Sequence, residues 1–118
     1  MWDKTHDELN DLTAEIGKRV DIDNQLTQLA EEASELAQAA LKYRRALQTA
    51  RRDTGISPTP KPEVAAHFDL IEEASDVSLS LMVLGEGFTS SGIMLKKANR
   101  WLDRLKEHDT KIHEEGRM

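Results

Sequence analysis

The sequence predicts an all-α fold, and three observations carry that expectation. Apolar residues recur at helical spacing, as in Leu9, Leu12 and Ile16 or Leu95, Ala98, Leu102 and Leu105, while strand-type alternation is nearly absent. The breaks between periodic stretches use helix punctuation: Gly17, then Asp21, Asp23 and Asn24; Gly55-Ile56-Ser57-Pro58-Thr59-Pro60-Lys61-Pro62; and Gly85-Glu86-Gly87 before Thr89 and Ser90. The two main apolar stretches also carry matching acidic clusters, Glu31-Glu32-Ala33-Ser34-Glu35 and Glu72-Glu73-Ala74-Ser75-Asp76. Their carboxylates pair at i, i+3, a spacing that shares one face only on a helix.

Taken in order, Thr5-x-x-Glu8 reads as a capping box that opens a first amphipathic helix, with Gly17 at or near its end. Asp21, Asp23 and Asn24 are N-cap candidates for a long second helix, whose apolar positions include Leu26, Leu29, Ala33, Leu36, Ala40 and Leu47. Its alanines favour helix and let a neighbouring helix approach closely. Beyond Tyr43 this helix turns basic, with Arg44, Arg45, Arg51 and Arg52, which suit either a triphosphate or a solvated helix end set against the dipole. The proline-rich segment through Pro62 must be a loop, and Pro62 with Glu63 opens a third helix running to about Leu84. From Val77 to Leu84 that helix is apolar on every side except at Ser78 and Ser80, so it demands cover all round. A fourth helix follows a Thr89 or Ser90 cap, with Leu95, Ala98, Leu102 and Leu105 as its expected buried stripe, widened by Met94 and Trp101. Residues 107–118 read as a frayed polar tail.

At 118 residues with 38 % hydrophobic content, the chain is expected to form a single domain, residues 1–118, with a modest core. A net charge of −6 excludes broad electrostatic attraction to nucleic acid or to an anionic membrane. The lack of cysteine excludes a disulfide framework and a thiolate metal site. No stretch reaches the roughly 20 apolar residues of a membrane span, and the N-terminus has no apolar signal core, so a cytoplasmic protein is expected.

The acidic clusters lie inside apolar stretches, where carboxylates are costly to bury unless paired or bound to a cation. If the second and third helices run side by side, Glu32, Glu35, Glu73 and Asp76 converge, and an all-oxygen donor set favours Mg2+, with Mn2+ as the other option. A ferritin-like di-iron site would need Glu-x-x-His on two helices, and none of His6, His67, His108 and His113 stands in that relation to these clusters. The alternative for any one such pair is a solvated acidic helix face.

The combination Glu31-Glu32-x-x-Glu35 followed by Glu73-x-x-Asp76 resembles the signature of the MazG-like all-α nucleoside triphosphate pyrophosphohydrolases, over roughly residues 5–106. The resemblance implies a four-helix bundle completed by oligomerisation, as a dimer or a dimer of dimers. It also implies magnesium held by Glu32, Glu35, Glu73 and Asp76, and conversion of a (d)NTP to its monophosphate and pyrophosphate. Lys97 and Arg100 stand where relatives place phosphate-contacting residues. Glu31 is the candidate to position or deprotonate a water. Phosphoribosyl-ATP pyrophosphohydrolase and the dimeric dUTPases share the motifs and are the runner-up activities. Trp2, His6 and Tyr43 are aromatic groups able to stack a base, though packing or surface roles are the commoner use of such residues. A non-enzymatic helical interaction module, with carboxylates facing solvent and the apolar third helix binding a partner, is the reading from another class.

Overall fold

In the computed structural model, which describes residues 4–51 and 63–116, the fold is all-α. The helices are α1 (Lys4–Arg19), α2 (Ile22–Arg51), α3 (Glu63–Leu84) and α4 (Ser91–Glu115), with a single 3-10 turn at Glu86–Phe88. The described residues include no strand. Trp2, Arg52 and the segment from Gly55 to Pro62, the last of these expected to be a loop, lie outside the described residues. The chain divides after Phe88 into two compact units: α1 to α3 with the 3-10 turn, and α4. Among the described residues, no single helix is long and apolar enough to cross a membrane.

The α1–α2 corner is built by one aspartate and one glutamine. Asp21 caps α2 by accepting the Asn24 backbone N–H on Oδ1 at 2.8 Å and the Asn24 Nδ2 on Oδ2 at 3.0 Å. Gln25, buried one turn on, reaches back to donate from Nε2 to the carbonyls of Gly17 (3.1 Å) and Val20 (2.6 Å). Those carbonyls are among the ones a helix C-terminus leaves without intrahelical donors, so one side chain closes α1 and fixes the direction of α2. Gly17 lies near the end of α1, as expected, and a Cβ there would come 2.9 Å from the Val83 backbone oxygen. Glycine is what allows α1 to approach α3 so closely.

Helix α2 packs along α3, and the buried apolar residues of the described chain are three alanines on these two helices: Ala39, Ala46 and Ala66. Small side chains bring the backbones together, as the alanine-rich sequence of α2 implies. That close seam is what sets the two acidic clusters opposite each other. Gly85, at φ 98°, ends α3 in the left-handed region that favours glycine, and its N–H bonds the Leu81 carbonyl at 3.2 Å.

In the second unit, Ser90 caps α4, its Oγ accepting the Ile93 N–H at 3.2 Å. Two expectations are corrected here. The tail from residue 107 is not frayed, because α4 continues through Glu115; Glu107 and Lys111, at i, i+4 in the favourable order, supply the local helical preference. The stripe of Leu95, Ala98, Leu102 and Leu105 is not buried either, and no residue of α4 is. Trp101 is 68 % exposed and Leu95 64 %. The amphipathic pattern is present, but a unit consisting of one helix has nothing of its own to bury that stripe against.

Candidate metal centre

The α2–α3 seam brings both acidic motifs to one place. Carboxylate oxygens of Glu32, Glu35 and Glu73 lie within 4.8 Å of one another, a spacing that lets one cation contact all three. Asp76, one turn beyond Glu73 on α3, acts on the same point: its charge, after burial and Glu35, is among the causes that raise the Glu32 and Glu73 carboxyls above the usual carboxylate range. Burial is the largest cause for both groups, and the nearby Glu35 is the next. Glu32 and Glu73 are half-buried, and one oxygen of each, Oε2, is buried with no hydrogen-bond partner. The other oxygen of Glu32 accepts from Gln28 Nε2 at 2.7 Å, which orients the carboxylate and partly offsets the upward shift.

Buried oxygens without hydrogen-bond partners on mutually repelling carboxylates are a set of ligand atoms that could hold a cation. A small hard cation fits them: it would neutralise the repulsion, and carboxylate oxygen is the ligand type that magnesium and manganese prefer. Glu31 is exposed on the same helix and lines the adjoining cleft.

Two clefts meet at the cluster. The larger, about 510 Å³, contains Glu31, Glu32 and Asp76 at one side and runs between α1, α2 and α3. The smaller, about 260 Å³, contains Glu35 and Glu73 together with Gln38, Lys42 and Asp69. Because Glu32 in the first cleft lies within 4.8 Å of Glu35 and Glu73 in the second, the carboxylates stand between them.

Of the residues singled out from the sequence, the fold brings Glu32, Glu35 and Glu73 together, sets Asp76 beside them and places Glu31 on the cleft wall. Lys97 and Arg100 are exposed on α4 in the second unit, so the geometry of the centre rests on the first unit alone. Arg44 and Arg45 line neither cleft. Tyr43 stands edge-on to His67, ring centroids 5.3 Å apart, and also lines neither cleft. Sequence reasoning missed Asn24, Gln25, Gln28 and Lys42. Periodicity held a signal for two of them, since Gln28 precedes Glu32 by four positions and Lys42 follows Glu35 by seven, each on the same helix face. The fold and centre thus define an all-α chain with a cluster of three glutamates that could hold a metal ion. Comparison with protein-family models, curated proteins and solved structures gives no match.

Proposed function

We propose that the protein is a magnesium-dependent nucleoside triphosphate pyrophosphohydrolase of the MazG-like type. The observation that carries the reading is the convergence of Glu32, Glu35 and Glu73 within 4.8 Å, with buried, unpartnered oxygens on Glu32 and Glu73. These residues and Asp76 would hold Mg2+ or Mn2+. When bound, the ion supplies charge neutralisation for the phosphate oxygens and lowers the pKa of a coordinated water.

The remaining work falls to the chain. In the balanced reaction, a water oxygen bonds to the α-phosphorus, the bond from that phosphorus to the bridging oxygen breaks, and pyrophosphate leaves with the bridging oxygen. Glu31, exposed on the cleft wall beside Glu32, is the group available to take the proton of that water. Gln28 holds Glu32 in orientation. Lys42, in the smaller cleft with Glu35 and Glu73, offers a positive charge to the polyphosphate within the first unit, while Lys97 and Arg100 remain the basic candidates on α4.

The reading includes a homo-oligomer. The described chain buries no large apolar side chain fully, and an apolar groove of about 560 Å³ on the α1–α3 side exposes Ile71 and Leu79 beside Leu9, Ala74 and Met82. A second copy of the chain is the partner that covers such a face with matching chemistry.

The deciding experiment measures products across a panel of nucleoside triphosphates with Mg2+ or Mn2+. Monophosphate and pyrophosphate as first products are expected, and Glu35→Gln should abolish them. Orthophosphate plus diphosphate, or no turnover with either metal, would overturn the reading.

A further inference from the structure

Helix α4 is amphipathic, yet none of its residues is buried, and along most of its length the apolar positions keep a coiled-coil spacing. Leu95, Ala98, Leu102, Leu105, Asp109 and Ile112 alternate steps of three and four, the repeat that lets one helix face another over several turns. Only Asp109 among them is polar. Met94 and Trp101, both more than half exposed, widen the stripe on one side.

The charges of α4 point to what covers that stripe. From Lys96 to Lys106 five side chains are basic and only Asp103 is acidic, whereas from Glu107 to Glu115 four are acidic and only Lys111 is basic. This order runs against the helix's own dipole, which favours acidic groups near the N-terminus and basic ones near the C-terminus. The other three helices carry an acidic residue in the first turn, and α1 ends on Lys18 and Arg19; α4 has no acidic residue in its first turn and ends on Glu114 and Glu115. The stability of α4 as a lone helix therefore does not account for the arrangement. A twin lying antiparallel does, because the basic half of each helix then meets the acidic half of the other and the two dipoles oppose.

We propose that α4 pairs antiparallel with α4 of a second copy of the chain. The stripe sets the register. Placing Leu102 against Leu105 of the other copy also places Leu95 against Ile112, and Asp109 against the small Ala98, which leaves space beside the carboxylate. A parallel pair would instead put the basic halves together and the acidic halves together. Six stripe positions are few beside the roughly 20–30 residues a side of a standard interface, so the pairing adds to the contact at the α1–α3 groove and does not replace it. The inference thus rests on the homo-oligomer proposed above, and on neither the metal nor the reaction.

The chain has no cysteine, so Lys96→Cys, Asp103→Cys and Thr110→Cys each place one nitroxide label per full chain, all at the same heptad position. In the proposed register the two copies of residue 103 are offset along the axis by about 1.5 Å, those of residue 96 by about 22 Å and those of residue 110 by about 20 Å. Dipolar EPR should therefore give its shortest distance at 103, with longer and nearly equal distances at 96 and 110. Three equal distances, or no short distance at 103 in protein whose light-scattering mass is that of two chains or more, would overturn the pairing and leave the assembly standing. A single-chain mass would overturn both. Glu107→Lys with Glu114→Lys, both off the stripe, should abolish the short distance by setting basic halves against each other, and because the change suits the helix dipole α4 stays helical. Survival of the short distance in that variant would overturn the proposal.

Discussion

Replacing Gly17 with alanine tests whether the close approach of α1 to α3 sets the shape of the cleft. Inside a helix, Gly→Ala normally stabilises by about 0.8–1 kcal/mol. Here the new Cβ would lie 2.9 Å from the Val83 backbone oxygen, and that oxygen cannot rotate away as a side chain could. Restoring ordinary contact near 3.4 Å requires α1 to retreat by about 0.5 Å from a close-packed seam. The retreat lengthens the 3.1 Å bond from Gln25 to the Gly17 carbonyl and loosens the Ile16 and Val20 wall against Leu79 and Val83. Overpacking of this kind costs about 1–3 kcal/mol, so after the gain in helix preference a net loss of up to about 2 kcal/mol is expected. Urea unfolding followed by circular dichroism measures it as a lower midpoint at unchanged slope. Gly92→Ala is the control: its Cβ would meet only Ser90 Oγ, at an ordinary 3.7 Å, so helix content should hold or rise. An unchanged or raised midpoint in Gly17→Ala would refute the idea that this seam is held at backbone contact. The carboxylates lie on α2 and α3, so metal affinity should change little, which separates the seam from the metal centre.

Four further outcomes are expected. The Glu32 and Glu73 carboxyls titrate above their ordinary range, so the native state keeps protons that the unfolded chain has released; the metal-free protein should be most stable near the ordinary carboxylate range and lose stability as pH rises through the raised values. Glu73→Gln should flatten that loss in thermal melts across pH and raise the metal-free melting temperature at neutral pH, while removing metal binding. Mg2+ at a hundredfold excess over its Kd should stabilise the chain by about 2.7 kcal/mol, which a thermal-shift titration reads as a rise of roughly 10 °C, and Glu73→Gln with Asp76→Asn together should erase the rise. Gln25→Ala strips the donor from two carbonyls at the end of α1 and should cost about 1–2 kcal/mol in a urea melt, with water reaching partly exposed Val20 limiting the loss. Ile71→Glu, in the apolar groove of α3 and away from the larger cleft, should shift light-scattering mass to that of one chain and lower turnover with it; a monodisperse, active single chain in the unmutated protein would refute the assembly.

The local order of the chain was legible because helix signals are local. Asp21 and Ser90 cap where their types and positions indicate, Gly85 stops α3 with a positive φ, and the i, i+3 carboxylate pairs mark the faces that meet. The sequence also carried the strongest element of the candidate site, since Glu32, Glu35 and Glu73 share helical faces within apolar surroundings. Their mutual distance was a matter of tertiary structure, because it depends on α2 and α3 approaching across Ala39, Ala46 and Ala66. The partners of Gln25 were equally hidden, because only the fold brings its amide to the Gly17 and Val20 carbonyls. The apolar stripe of α4 marks the limit from the other direction. Periodicity states that Leu95, Leu102 and Leu105 share a face, but burial needs a second surface, and a pattern within one helix does not supply one.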